Sequence, residues 1–150
     1  MEKKSFISVD DMMKLLDDTY AKVLGGIPKV SPPIEEFAND YLSKHNSREE
    51  ACKDMMDMQI IKCTTSGVVT GLGGLITLPI ALPANIVNVL YVQIRMIACT
   101  AYMAGYDLQS DQIQTYIYSC LAGLSINKFL KKSGIAVGEK VATKLVQKVP

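Results

Sequence analysis

The sequence is poor in the residues that most often do chemistry. It holds one histidine, His45, and four cysteines, Cys52, Cys63, Cys99 and Cys120, with no CxxC pair. A structural zinc needs four ligands at characteristic spacings, so neither a metal nor any other cofactor is expected. Each cysteine stands among apolar neighbours, where a thiol acts as a small buried hydrophobe. Period-two alternation bounded by turns is missing throughout, which argues against strands. A phosphate cradle at Gly71-Leu72-Gly73-Gly74 is disfavoured: no Gly-Lys-Ser/Thr follows it, and the dinucleotide fingerprint lacks its third glycine and a preceding strand. No signal peptide is expected, because MEKKSFISVDDMMK reaches acidic residues before any apolar core forms; a reducing cytoplasm is the expected compartment.

Charge is absent over a long central run. Nothing between Lys62 and Arg95 carries a formal charge, and the stretch includes Gly67, Gly71, Gly73, Gly74, Pro79 and Pro83. Roughly 30 uncharged residues would suffice to span a bilayer, but the glycines and prolines break the run in two. The four-residue spacing of Gly67 and Gly71 suits close helix approach, in a membrane or a tight bundle. Arg95 argues against a simple span, since an arginine at mid-bilayer costs at least ~2.5 kcal/mol on insertion scales. Elsewhere charge is unevenly placed. Residues 1–50 carry seven basic against ten acidic side chains, and residues 125–150 carry six lysines against Glu139 alone. An acidic front and a basic back attract each other, or leave the basic end for an anionic surface.

What is present is helical periodicity. A first helix starting near Ser8 places Val9, Met12, Met13, Leu16, Tyr20, Val23 and Leu24 on one face and stops at Gly25-Gly26 and Pro28. Ser31-Pro32-Pro33 reads as a cap for a helix burying Ile34, Phe37, Ala38, Tyr41 and Leu42 and ending at His45. Ser47-Arg48-Glu49-Glu50 is a capping box, launching a helix through Ala51, Met55, Met58 and Ile61. A helix from about Ala84 to Ala104 follows the prolines, with Ile86, Val89, Leu90, Ile94, Ile97, Ala98 and Ala101 on its apolar face. Asn85, Asn88, Gln93 and Arg95 interrupt the rest of that helix. Gly105 is placed for a left-handed cap, and Ser110-Asp111 begins a helix through Ile113, Tyr116, Ile117, Cys120 and Leu121. A last helix sets Lys140, Lys144 and Lys148 beside Val141, Leu145 and Val149. That pattern is either a solvated face over a core seam or a basic amphipathic helix for a membrane surface. The expected fold is a single all-α domain, a multi-helix bundle around the Gly/Pro-broken apolar hairpin.

Three segments, SGVVTGLGGLITLP, ALPANIVNVLYVQIRMIA and AYMAGYDLQSDQIQTYIYSCLAG, together resemble the bacterial EcsC family, most specifically from Gly67 to Gly123. The resemblance implies an accessory to a membrane or transport system, with no established biochemical activity. It marks Asn85, Gln93, Arg95, Tyr106 and Asp107 as candidate binding or structural positions, beside Pro83 and Gly105. Family members usually continue beyond the equivalent of Pro150, so the chain would be a short member or a piece lacking the usual C-terminal part.

Three functions follow from these residues. The first is a non-enzymatic protein peripheral to the inner face of the cell membrane, touching anionic lipid or a membrane protein through the apolar hairpin or through Lys140, Lys144 and Lys148. The second is a soluble helical binding domain, with self-association left open. An enzyme using Arg95 with Asp107 or Asp111 comes third, because guanidinium and carboxylate alone supply no nucleophile. Nucleic acid is not an expected partner, since the basic stripe lacks aromatic residues. Arg95 itself is expected to bury its stem and tie its guanidinium to Asp107, Asp111 or helix-end carbonyls.

Overall fold

The computed structural model describes residues 9–64 and 84–123. Five helices pack together there: α1 (Val9–Gly25), α2 (Ile34–Ser43), α3 (Arg48–Thr64), α4 (Ala84–Met103) and α5 (Asp111–Gly123). Among the described residues there is no strand, only one isolated bridge between Ile27 and Ser31, so the bundle is all-α. The hairpin expected from Gly67 to Pro83 and the helix expected to bear Lys140, Lys144 and Lys148 fall outside the described residues.

α4 is the hub. It packs against α1, α2, α3 and α5, and buried residues surround it: Val87, Leu90, Tyr91, Val92, Ile94, Ala98, Cys99 and Met103. Buried apolar residues round most of its circumference place it in the core, despite Gln93 and Arg95. Of its expected face, Leu90, Ile94 and Ala98 are buried, while Val89, Ile97 and Ala101 are half-buried. Its end follows from Gly105, at φ +94°. There Gly105 N–H donates to Tyr102 O (2.9 Å) and Tyr106 N–H to Ala101 O (3.0 Å), the paired bonds of a Schellman cap.

The first connection is a clamp. Gly26, at φ +77°, ends α1, and a Cβ there would meet Pro33 N at 2.6 Å. Ile27 N–H donates to Ser31 O (2.8 Å) and Ser31 N–H returns to Ile27 O (2.9 Å), closing a tight turn through Lys29 at φ 65°. Pro33 then occupies the N-cap of α2 and supplies no side-chain cap. Ser31 was expected at that cap, but its hydroxyl serves Arg95 instead.

α3 departs from its expected face. Ser47 does cap it, accepting Glu50 N–H at 3.2 Å. The buried line, however, runs Ala51, Met55, Gln59 at four-residue steps, while Met58 is 40% and Ile61 55% exposed. Four-residue steps drift slowly around a helix, whereas a step of three from Met55 to Met58 turns the side chain back towards solvent. α1 keeps its face, with Leu15 and Thr19 buried in addition; Thr19 Oγ1 donates to Leu15 O at 2.7 Å.

Candidate functional site

Arg95 is the one buried charge among the described residues, at 6% exposure. Its guanidinium lies over the Phe37 ring at 4.5 Å and the Tyr91 ring at 5.5 Å, so two aromatic faces flank the cation. Nη1 donates to Ser31 Oγ at 2.9 Å, and Nη2 donates to Gln59 Oε1. Arg95 therefore ties the α1–α2 turn, α2 and α3 to the hub helix. The stem is buried as expected, but these hydrogen bonds run to uncharged partners, with Asp107 used elsewhere. Asp107 is exposed, and its Oδ1 accepts Gln109 N–H at 2.9 Å, shaping the turn before α5.

The other marked positions are scattered. Asn85 stands in the first turn of α4, its side chain outside the described set. Gln93 is half-buried, and among the described residues its Oε1 finds no hydrogen-bond partner, nor do Gln59 Nε2, Asn88 Oδ1 and the Tyr91 hydroxyl. Buried polar atoms of this kind commonly hold ordered water. Tyr106 is 58% exposed, just beyond the α4 cap. Tyr106 and Asp107 border one small cavity, which Gln93 and Arg95 do not line. His45 Nε2 lies 3.0 Å from Asp54 Oδ2 and joins the start of α3 to the loop before it.

Opposite the Arg95 face, α4 turns short side chains outward. Thr100, Ala101 and Ala104, with Met96 and Ile97, form the floor of a cavity of about 500 Å³. Met56 of α3 closes one side, and Ile113, Tyr116, Ile117 and Cys120 of α5 form the other wall. Among the described residues no charged side chain lines it. Its size falls within the ~300–1,000 Å³ usual for small-molecule pockets, which are mostly apolar with a few placed hydroxyls. The Tyr116 hydroxyl is already held by Gln112 Nε2 at 2.9 Å. A second cavity, of about 190 Å³, is lined by Glu35, Tyr102, Asp107 and Gln109 among others, and Tyr106 borders both. Sequence reading missed this groove. The four-residue series Met96–Thr100–Ala104 beside Ile97–Ala101 was its signal, since shrinking side chains along one face leave a hollow.

Burial sets the titration of the inner groups. It pushes the Cys99 thiol up to about 12, with Cys52 adding to the shift and Arg95 opposing it. Burial, with the nearby Asp107 carboxylate, raises Tyr20 to about 12. Tyr118 is raised further by burial and by donating to Asp17 Oδ1 at 2.7 Å. A thiol held protonated is a poor nucleophile. Among the described residues no three metal-ligating side chains cluster, and no helix is long and apolar enough to cross a membrane.

Fold and site together describe an all-α bundle carrying an apolar groove. No family model, curated protein or solved structure matches the chain.

Proposed function

We propose that the chain is a non-enzymatic helical domain of the EcsC kind, peripheral to the inner face of a bacterial cell membrane, where it serves as an accessory to a membrane or transport system. One observation carries the membrane part of this reading. At the end of α3, just before the charge-free run, Met58, Ile60 and Ile61 are 40%, 52% and 55% exposed. Met58 and Ile61, three residues apart, share one side of the helix, with Ile60 exposed further round, and exposed apolar surface of this kind serves contact with protein or membrane. Lys140, Lys144 and Lys148 would add attraction of about 1 kcal/mol each near anionic lipid. The family part rests on the three motifs between Gly67 and Gly123. Arg95 and Asp107 are engaged in holding helices and a turn, which favours a binding role over a catalytic one.

Vesicle flotation tests it. The chain should float with anionic vesicles and less with neutral ones, and high salt should weaken the association. Replacing Ile60 and Ile61 together by Ser should abolish flotation at both salt levels. Failure of the unaltered chain to float with either lipid would remove the membrane reading. A second reading, a soluble binding domain, is favoured by the groove between α4 and α5 and needs no lipid surface.

A further inference from the structure

We infer that the groove and the small cavity beyond Tyr106 form one site for a single-chain amphiphile whose head is an amine or a hydroxyl. This rests on the second reading above, that the groove binds a ligand. The groove itself dictates the tail. Among the described residues no charged side chain lines the groove and hydroxyls are few, so a sugar or nucleotide would leave most of its polar groups desolvated and unmatched. A hydrocarbon chain meets no such penalty, and Met56 and Met96 supply flexible side chains that adapt to its length.

The smaller cavity dictates the head. Tyr106 borders both spaces, so the two lie side by side at the C-terminal end of α4, close enough for one ligand to reach both. Beyond Tyr106 stand two carboxylates, Glu35 in the first turn of α2 and Asp107 in the turn before α5. Among the described residues no lysine or arginine lines either cavity. An acidic pair repels a phosphate or carboxylate head and attracts an ammonium, while a hydroxyl can donate to either oxygen pair. Asp107 uses Oδ1 to accept Gln109 N–H, which holds the carboxylate in place for this task. Tyr102, whose hydroxyl accepts from Asn39 Nδ2 at 3.4 Å, adds a further polar group to the same cavity.

Calorimetric titration of the full chain tests the inference. The probes are a long-chain alkylamine, a monoacylglycerol and a fatty acid of equal chain length, each kept below its micelle-forming concentration. The amine and the monoacylglycerol should bind at least about tenfold more tightly than the fatty acid, a difference well within reach of calorimetry. Ala104→Phe fills the groove from an exposed position and should weaken every probe about tenfold or more; Cys120→Phe on the opposite wall is the second blocking variant. Glu35→Gln combined with Asp107→Asn should erase the preference for amine over fatty acid and leave the monoacylglycerol unchanged. The inference is overturned if the fatty acid binds as tightly as the amine, or if that preference survives in the double variant. Probe binding undiminished by both blocking variants would place the ligand outside the groove and overturn it equally. Failure of all three probes would remove the binding-domain reading as well, whereas vesicle flotation judges the membrane reading separately.

Discussion

The two faces of α4 solve opposite problems with one helix. On one, Tyr91 and Arg95 meet Ser31, Phe37 and Gln59, and the space is filled by large polar and aromatic groups. On the other, Thr100, Ala101 and Ala104 stop short of α5 and leave about 500 Å³ open. The filled face joins the α1–α2 turn, α2 and α3 into one body. The hollow face is where something else can enter. A buried cation held by several elements fixes how they assemble, because only one arrangement satisfies it. An apolar hollow has no such demand and tolerates change.

That contrast is most exposed by Arg95→Met. It would leave Gln59 Oε1 and Ser31 Oγ buried without their donor, so we expect a loss of about 2–4 kcal/mol in denaturant unfolding. A variant as stable as the unaltered protein would mean that the filled face is no more demanding than the hollow one. Tyr118→Phe should come next, removing the 2.7 Å bond to Asp17 that joins α5 to α1, at about 1–2 kcal/mol. Thermal melting reads this directly, and Asp17→Asn should lose less, since an amide still accepts.

Alkaline pH probes the buried acids without mutation. Cys99, ordinarily near 9.0, and Tyr20, ordinarily near 10.0, are both held up to about 12 in the fold. The unfolded chain gives up these protons first, so their stabilisation is complete below about pH 9 and disappears by about pH 12. Melting temperature should fall across that window, and Cys99→Ala should shift the start of the fall towards pH 10. The smallest effect belongs to the hollow face. Ala104→Leu should change stability by less than about 0.5 kcal/mol, because the added carbons enter open space and not a packed wall. A loss of several kcal/mol would show the groove to be closed in solution.

The helix ends were legible because their causes are local. Gly105 with its positive φ, and Ser47 three residues before Glu50, announce their roles within a few positions of chain. Arg95 was legible in part: an arginine between Ile94 and Met96 had to bury its stem, and it does. Its hydrogen-bond partners were not, since Ser31 and Gln59 lie 64 and 36 residues away in sequence and look like a cap and a surface amide. Met58 and Ile61 misled for a related reason. Their hydrophobicity says they prefer shelter, but only the packing of α3 on α4 decides which side of the helix receives it. The groove was hidden longest, because a hollow is defined by atoms that are missing from two helices at once.

Two of the hydrogen bonds that hold α1 bear on how the chain comes together. Tyr20 donates to the Leu108 carbonyl at 2.7 Å, and Asp17 receives Tyr118, contacts 88 and 101 residues apart in sequence. A helix made early in synthesis thus finds its permanent seat only after α4 and α5 have been made. At a ribosomal pace of about 5–20 residues per second, that leaves its apolar stripe of Met12, Leu16, Tyr20 and Val23 uncovered for several seconds. Loop closure over such separations also slows folding relative to bundles built from neighbouring helices. The nascent first helix is therefore a segment that a chaperone would shelter, and the hydroxyl of Tyr20 is the latch that ends its wait.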